Sequence, residues 1–588
     1  MRTHRAQDQA IGLLIILMGV LFALAMFCGL ENLSGYHGSV YQALHPDSFP
    51  GDRFMSPTRP TMLSMYYLIV KAIGEPWLDD RLTMVVYAGL VVLALFGVDK
   101  TAQLLGARRA GERVAMLSLM LLGHKILDNQ GWLLGHADFN ATQLSSPLII
   151  WLLFHGLAGP RSRVAIPLMV LILALSIKNG WFPCLVVLAL LGKERLHRRG
   201  QLIAAAAAAA LMMAGWGAYA LFLRSPDDVR LFNFLHHELD NAEANPFLNP
   251  WYANLIFVVL CVAGWLAKGL PGAVSARVRV VARAGLALWL LGGLYFTWAP
   301  DALKIPHLVP FDVTRALWWS QYVMYLVLGV ALLKQVQRAT SAASLGAAWG
   351  LLMGLYFLHW TFQVKLALVV AAVTVGMAGW ALWTRRDRGW RAGFDAPAQL
   401  QIAAVAMCVG VVSLYGVGTV TRRWDALVFL ARHGIVGDNG GAVWLDVNPY
   451  IREHTPASAT VLALAERNAL GQDLGLRFEG SLRNRTGRSM PLGSIAAFYL
   501  DYPNILWCQA QRQEAHYLVE AWEREDLPAV STRLAHLGSP EYLVVPIERS
   551  AWLGNRPDFA YQFEVARGAY WIFRRKAGTV WAHTPHVL

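Results

Sequence analysis

The chain has 588 residues, of which 56% are hydrophobic and only 15% are charged. A soluble globular protein carries about 25% charged residues, so this composition supplies too little polar surface for a soluble molecule of this size. It excludes a soluble cytoplasmic enzyme, a disordered protein and a secreted disulfide scaffold. Much of the net charge of +13 lies in short loops between apolar blocks. That distribution indicates membrane topology, and no nucleic-acid partner is expected.

Apolar blocks of about 20 residues, the length that crosses a hydrocarbon core as a helix, recur along the chain. The first block is long for a signal peptide and lacks a small-residue cleavage site, so we predict a retained span. About thirteen spans are predicted, which makes the chain a polytopic α-helical membrane protein. They lie near 11–30, 82–98, 114–127, 142–158, 163–177, 180–192, 202–223, 251–267, 284–299, 321–333, 342–359, 364–383 and 401–419.

Basic residues are distributed unevenly between the loops that join these spans. Lys and Arg concentrate in alternate loops, such as 99–113, 193–199 and 385–391, and are sparse in the loops between them. Because positive charge retains a loop in the cytoplasm, this pattern predicts a cytoplasmic N-terminus and an outside C-terminal tail. Arg422 and Arg423, beside the last span, oppose this assignment, but the other loops outweigh them.

Two long polar regions are therefore predicted on the outside. The first loop, 31–81, contains an apolar stretch at 62–73 that is too short to span, which favours an interfacial helix. The second region, 421–588, is polar enough to be a soluble domain. We therefore divide the chain into a membrane domain, 1–420, and an extracytoplasmic α/β domain, 421–588.

Local patterns within the tail support an α/β domain. Apolar runs at 460–465 and 542–546 predict buried strands, and 559–575 predicts a hairpin that turns at Arg567 and Gly568. Helical periodicity covers 517–537, with a break predicted at Pro528.

Candidate catalytic residues follow the first span, in the segment His45-Pro-Asp47-Ser-Phe-Pro-Gly-Asp52-Arg53. Its prolines and glycine favour a defined non-helical path that presents two carboxylates and a histidine. A carboxylate near apolar surface is suited to act as general base on a hydroxyl group. Two neighbouring carboxylates are also suited to hold a divalent cation such as Mg²⁺ or Mn²⁺. The alternative is a rigid turn whose aspartates cap backbone groups.

Polar residues at two other predicted outside turns are candidates for orienting a substrate. His136 and Asp138 lie in one turn, and Lys178 lies at the start of a span. The first pair alternatively forms a polar turn that satisfies its own backbone. Lys178 alternatively extends its ammonium group to the membrane surface without binding anything.

A further group of cations precedes the span at 321–333. Lys304 and His307 lie in the loop, and Arg315 begins an apolar helix in which Trp318 and Trp319 follow it. A guanidinium at the membrane surface suits a phosphate or pyrophosphate because its fork can engage two oxygens. The alternative is an ordinary interfacial anchor.

Motifs for several other activities are absent from the sequence. It contains no G-x-x-x-x-G-K-[ST] phosphate loop, no H-E-x-x-H and no G-x-S-x-G. Acidic residues are scarce within the predicted spans, which argues against an ion-coupled transporter.

The arrangement resembles the GT-C superfamily of membrane glycosyltransferases, whose members combine a cytoplasmic N-terminus, an acidic first outside loop and about a dozen spans. The segments that carry the resemblance are HPDSFPGDRF in the first loop and YIREHTPASATVLAL at 450–464. The adjacent Asp-Glu pair and a WWDYG-like motif are missing, which argues against an oligosaccharyltransferase.

The resemblance implies transfer of a sugar from a polyprenyl-phosphate donor to a glycan, lipid or protein acceptor. Asp47 or Asp52 would be the general base of an inverting displacement, and Arg315, Lys304, His307 and Arg53 would bind the donor phosphate. His45, His136, Asp138 and Lys178 would help to orient the substrates. The implied location is the cytoplasmic membrane of a bacterium, among membrane lipids, with the tail in the periplasm. The alternatives are a lipid-linked-sugar flippase or transporter and a polysaccharide polymerase or ligase.

Overall fold

Helices dominate the computed structural model, as the apolar blocks predict. It describes residues 2–27, 37–49, 52, 65–122, 141–159, 164–195, 226–234, 245–338, 424–434, 445–464, 482, 486–492, 502–553 and 556–578, with single positions at 218, 348, 351, 352 and 355. The helices within these ranges are α1 (Arg2–Met26), α2 (His37–Leu44), α3 (Met65–Ile73), α4 (Asp80–Leu105), α5 (Ala110–Leu122), α6 (Ala141–Ala158), α7 (Ala165–Leu175), α8 (Ile177–Arg195), α9 (Pro226–Asn233), α10 (Trp251–Leu266), α11 (Gly272–Trp298), α12 (Val313–Arg338), α13 (Trp424–His433), α14 (Val447–His454), α15 (Tyr502–Glu523) and α16 (Leu527–His536).

Five of the described helices are long and apolar enough to cross a membrane. Three shorter apolar helices, α7, α8 and α10, coincide with further predicted spans. The chain is an integral membrane protein. The predicted spans at 202–223, 342–359, 364–383 and 401–419 lie wholly or largely outside the described residues, so the total of about thirteen stays a prediction. The long helices have apolar segments at Ala6–Met26, Asp80–Leu105, Ala141–Ala158, Gly272–Trp298 and Val313–Gln337.

The chain forms two compact units. The helical unit comprises Met1–Phe27 and Met84–Arg423, and the second unit comprises Cys28–Thr83 and Trp424–Leu588. The domain boundary predicted at residue 420 falls outside the described residues and stays a prediction.

Helix α12 is the central element of the helical unit, where it contacts α5, α8, α10 and α11. Its side chains are the most deeply buried of the five long helices, and they include the fully buried Tyr322 and Tyr325. Small residues bring α11 and α12 together, since Gly285 lies against Ser320 and Gly292 lies against Val313. Packing against α12 therefore fixes where the ends of the neighbouring helices lie.

An ion cluster around the buried pair of Arg113 and Asp99 joins α1, α4 and α5. The guanidinium of Arg113 contacts both carboxylate oxygens of Asp99, each at 2.7 Å, and contacts Asp8 at 2.5 Å. Gln103 donates a further hydrogen bond to Asp99 at 2.7 Å. Because the charges of Arg113 and Asp99 are both removed from water, loss of either side chain would leave the other charge buried without compensation, at a large cost in stability.

The second unit contains a four-stranded sheet made of β1 (Val461–Ala463), β2 (Tyr542–Pro546), β3 (Tyr561–Arg567) and β4 (Tyr570–Arg575), in the order β1-β2-β4-β3. Strands β1 and β2 are parallel and the other pairs are antiparallel. Alternation along β2 sends Leu543 and Val545 into one core with α15 and α16, and Tyr542 and Val544 into another with α14. Helices therefore cover both faces of this small sheet.

The local predictions for the tail agree with the strands and differ from the helices. Strand β2 has the predicted bounds, and β3 and β4 form the predicted hairpin. The predicted helix break at Pro528 is wrong by a few residues: α15 ends at Glu523, and Pro528 lies in the first turn of α16. Asp526 caps α16 by accepting a hydrogen bond from the Ala529 N–H at 3.1 Å. Proline is tolerated in a first helical turn, so here it follows the break.

The apolar stretch predicted as an interfacial helix is helical, as α3. Tyr66, Tyr67 and Val70 are buried on one side of it, whereas Leu68 and Ile73 are exposed. An amphipathic helix of this kind suits an interface, and its location at the membrane surface stays a prediction.

Candidate functional site

Two predicted cations lie in the first turns of two helices of the helical unit. Lys178 is near the start of α8, and Arg315 is near the start of α12. The first-turn N–H groups of a helix have no partner within that helix and carry partial positive charge. Both ends are therefore places where an anion is stabilised.

The carboxylate of Asp312 holds these two cations in place. Its side chain is only 1% exposed, and its Oδ2 lies 3.3 Å from Lys178 Nζ and 3.1 Å from Arg315 Nε. Its Oδ1 accepts a hydrogen bond from the Arg315 backbone N–H at 3.1 Å, which is the pattern of a helix N-cap. Asp312 therefore fixes the start of α12 and the direction of both cationic side chains.

The backbone at Asp312 is left-handed, with φ of +55°. Asp and Asn adopt this conformation more readily than most other side chains, although it is still less favourable than an ordinary helical or extended one. The conformation lets the chain pass from the short 3₁₀ turn Pro306–Phe311 into α12. We infer that the charge contacts of Asp312 offset its backbone strain.

Arg315 and Lys178 differ in their access to solvent. The Arg315 side chain is 11% exposed and its guanidinium lies over the Trp318 ring, 5.4 Å from the centroid, whereas the Lys178 side chain is 36% exposed. Arg315 contacts Asp312 through the guanidinium Nε. The geometry thus combines a fixed, partly stacked guanidinium with a more accessible ammonium group.

A buried polar network fixes the helix that carries Lys178. Asn179 donates to the hydroxyls of Ser145 at 2.9 Å and Ser146 at 3.3 Å, and its carbonyl accepts from Trp319 Nε1 at 3.2 Å. These hydrogen bonds join α6, α8 and α12 beside the cations. In apolar surroundings an unmade hydrogen bond is costly, so this network holds the three helix ends in register.

Sequence reasoning missed both Asp312 and Asn179. The sequence predicted a membrane span at 321–333 and an apolar helix that begins at Arg315, so Asp312 was not recognised as an N-cap. Asp312 stands immediately before Val313, where the observed helix begins, and an Asp at that position is a helix-start signal. Asn179 stands inside an apolar block, and an amide there is a signal for a partner on a neighbouring helix.

Lys304 makes contacts with a different set of residues. Its Nζ lies 2.6 Å from Asp301 and donates to Asn233 at 3.0 Å, above the Phe232 ring. These contacts join the loop at 301–305 to α9. His307 lies in the 3₁₀ turn Pro306–Phe311, and its side chain lies outside the described part of the structure.

The first-loop residues belong to the second unit and occupy different environments. His45 Nε2 pairs with Glu75 at 2.7 Å, and Asp47 is exposed in the turn after α2. Asp52 is buried, with 8% of its surface exposed, and its Oδ2 accepts a hydrogen bond from the Met490 N–H at 3.1 Å. The remaining candidates, Arg53, His136 and Asp138, lie outside the described residues.

The sequence also suggests that the first-loop acids can hold a divalent cation. Within those residues, no three or more His, Cys, Asp or Glu side chains are grouped so that they could hold a metal ion. Asp52 accepts a hydrogen bond from a backbone N–H through its Oδ2. The Mg²⁺ or Mn²⁺ that the sequence suggests stays a prediction.

Comparison with known proteins gives similar structures but no similar family. No family model matches the chain, and no curated protein matches it. The crystal structure of ArnT from Cupriavidus metallidurans bound to undecaprenyl phosphate is 15% identical, with 97% of each chain covered and a TM-score of 0.42. The apo structure of the same protein is 16% identical, with 97% of this chain and 98% of that chain covered and a TM-score of 0.39.

At this identity and TM-score the comparison assigns no activity to the chain.

Proposed function

We propose that the chain is a membrane glycosyltransferase that uses a polyprenyl-phosphate sugar as donor, and that Arg315 and Lys178 bind the donor phosphate. The observation that carries this proposal is the convergence of two cations on the buried carboxylate of Asp312, at the starts of two apolar helices.

The chemistry of the pair suits a phosphate group. A guanidinium presents a planar fork to phosphate oxygens, and an ammonium group acts as a point charge beside it. The N-terminal ends of α8 and α12 add partial positive charge. Because Asp312 holds both cations, little reorganisation is needed when an anion arrives, and preorganised charge is the most effective kind in catalysis.

The position of the cations along the helices suits a lipid-linked anion. Both lie at the ends of apolar helices, so a ligand with a long hydrocarbon tail and an anionic head could place each part in matching surroundings. Trp318, which stacks on Arg315, is the residue type enriched at headgroup depth. A free nucleotide sugar has no such tail.

The proposed reaction breaks the bond between the anomeric carbon of the sugar and the donor phosphate. The acceptor hydroxyl oxygen forms the new bond, and its proton passes to a general base. Negative charge grows on the departing phosphate, where Arg315 and Lys178 would stabilise it. Asp47 and Asp52 remain the proposed bases, and an inverting displacement and a glycan, lipid or protein acceptor complete the hypothesis.

The proposal places the reaction on the outer face of the bacterial cytoplasmic membrane. Its support is the uneven distribution of basic residues between loops, which favours a cytoplasmic N-terminus and a periplasmic tail.

The test is a transfer and binding assay on the purified full-length chain with a panel of radiolabelled polyprenyl-phosphate sugars and an extract of membrane lipids and glycans as acceptor. Arg315→Gln should weaken donor binding roughly tenfold or more, because a charge-assisted hydrogen bond is lost. Arg279→Gln, which removes an exposed cation elsewhere on the helical unit, should change nothing. Asp47→Asn or Asp52→Asn should abolish transfer and spare binding.

Other outcomes would overturn the proposal. Donor binding without transfer, unchanged by either aspartate substitution, would identify a lipid-linked-sugar flippase or transporter. Transfer of whole glycans, without transfer of single sugars, would identify a polysaccharide polymerase or ligase. If Arg315→Gln bound the donor as tightly as wild type, the cation pair would not be the donor-phosphate site.

A further inference from the structure

A short segment of the tail contacts the first loop within the second unit. We call residues 486–490 the docking segment. Its Met490 N–H donates to Asp52 Oδ2 at 3.1 Å, across 438 positions of sequence. A second contact joins Gly487 to the ring of Tyr41 on α2. The docking segment therefore touches the first loop at two separate points.

Gly487 cannot be replaced by a residue with a Cβ unless the Tyr41 side chain shifts. Its φ is +69°, which strains any residue with a Cβ, and a Cβ placed there would lie 2.6 Å from Tyr41 Cε1 and 3.0 Å from the Tyr41 hydroxyl oxygen. The Tyr41 ring thus occupies the space that a side chain would need. The close approach of α2 depends on this glycine.

Arg488 anchors the docking segment to the end of α14. It is only 8% exposed, and it donates to the Arg452 carbonyl at 2.7 Å and to the Thr455 carbonyl and hydroxyl at 2.8 and 3.0 Å. A fourth hydrogen bond returns to the Thr486 carbonyl at 2.8 Å. Carbonyls at a helix C-terminus carry partial negative charge, so they stabilise the buried cation.

No carboxylate of the described residues forms an ion pair with Arg488. Its burial lowers the pKa of Arg488, and the nearby phenols of Tyr41 and Tyr542 partly offset that effect. The side chain is therefore held by directional hydrogen bonds to backbone oxygens, which fix position more strictly than a surface ion pair does.

The docking segment is also joined to the sheet. The Ser489 carbonyl accepts a hydrogen bond from the Val461 N–H at 2.9 Å, beside the bridge between Thr460 and Ser489. Arg488 is thus fixed to the end of α14, and the next residue, Ser489, is fixed to β1 of the sheet. The Met490 N–H that holds Asp52 projects from a rigid element.

We propose that the docking segment is the positioning element of the first loop, and that Arg488 is a positioning residue which acts on Asp52 through Met490. Helix α2 and Asp52 are held on the tail by Gly487 and Met490, and both depend on the anchor at Arg488. The consequence for transfer rests on the proposed function, whereas the docking itself does not.

The docking is tested by hydrogen–deuterium exchange of the full-length chain in detergent. In Gly487→Ala and in Arg488→Gln, amides of residues 41–52 should exchange roughly tenfold faster or more, because local opening becomes easier. The matched control is Gly538→Ala, since Gly538 has φ of +83° but no heavy atom within 4 Å of its would-be Cβ. The Gly538→Ala variant has the same kind of backbone strain without a collision. In this variant the amides of residues 41–52 should exchange as they do in wild type.

One further measurement in the same experiment separates loss of docking from unfolding of the tail. Protection of the β2 amides from exchange reports whether the tail stays folded. The proposal requires that β2 stays protected while the amides of residues 41–52 exchange faster. Equal exchange of 41–52 in wild type, Gly487→Ala and Arg488→Gln would overturn the proposal.

The transfer assay then separates positioning from binding. Arg488→Gln should lower kcat with little change in the KM for the donor, and Arg488→Lys should restore part of the rate because it keeps the charge and some of the donors. Faster exchange in a chain that transfers no sugar would uphold docking and refute the proposed function. Active wild type with unchanged exchange in the variants would refute docking and uphold the proposed function.

Discussion

Asp312 contacts Arg315 twice, through its side chain to Nε and through its other oxygen to the backbone N–H. The first contact fixes a cation and the second caps the helix that carries it. A single buried carboxylate thereby sets both the start of α12 and the position of a guanidinium, and its contact with Lys178 extends the same control to α8.

Substitutions of Asp312 should separate these two roles. Asn keeps the N-cap and tolerates the left-handed backbone but removes the negative charge, whereas Ala removes both. We expect Asp312→Ala to lower the free energy of unfolding by about 3–5 kcal/mol, the range for breaking a buried ion pair, and Asp312→Asn to lower it by less. Thermal unfolding followed by tryptophan fluorescence measures this, and equal loss in both variants would contradict a capping role.

Asn179 should stabilise the helical unit through its hydrogen bonds to neighbouring helices. Asn179→Ala leaves the Trp319 N–H without its acceptor, so we expect a loss of about 0.6–1.7 kcal/mol, as for other hydrogen bonds between membrane helices. A double-mutant cycle with Trp319→Phe should show a coupling energy above zero. Trp298→Phe, on an exposed tryptophan, is the control and should cost little.

Arg113 should stabilise the end of the helical unit where α1, α4 and α5 meet. Arg113→Met leaves Asp99 buried without its bidentate partner, and we expect a loss of about 3–5 kcal/mol in unfolding free energy. Replacing both residues, as Arg113→Met with Asp99→Leu, should recover much of that loss because no charge remains buried. Arg109→Gln removes an exposed cation nearby and should stay close to wild type.

Glu514 should make the tail less stable at low pH. Burial raises its pKa, but hydrogen bonds from Arg533 and His536 outweigh burial and hold the pKa below its ordinary value. A carboxyl whose pKa is lowered by folding stabilises the fold above its unfolded pKa, and this contribution is lost as the pH falls through the folded pKa. The unfolding midpoint should therefore fall as the pH drops below about 4.3.

Glu514→Gln isolates this contribution from other acid effects. The variant should unfold at lower temperature than wild type at pH 7, and the difference should shrink as the pH falls. A difference that is the same at pH 7 and pH 3 would contradict the assignment. Glu453→Gln, an exposed glutamate on α14, is the control.

The parts of the fold that follow from local pattern were predictable. Strand β2 is a continuous apolar run bounded by turn residues, and it was predicted at its observed bounds. The break before α16 was misplaced because proline marks a boundary without saying on which side of it the helix lies.

The residues of the candidate site were also only partly predictable from the sequence. Arg315 and Lys178 were predictable as cations beside apolar blocks, but their common partner Asp312 was not, since no local pattern reports which side chains meet in a helix bundle. The contact between Asp52 and Met490 depends on residues 438 positions apart, and a single sequence contains no signal for it.

The same separation has a consequence for biosynthesis. At about 5–20 residues per second, the ribosome reaches Met490 roughly 20–90 s after it has made Asp52. During that interval the first loop has no docking segment to contact, while every helix of the bundle up to α12 has already been synthesised. The acid that we propose as a catalytic base is therefore among the last groups to reach its place, and a nascent chain stays incomplete until its tail has emerged and folded.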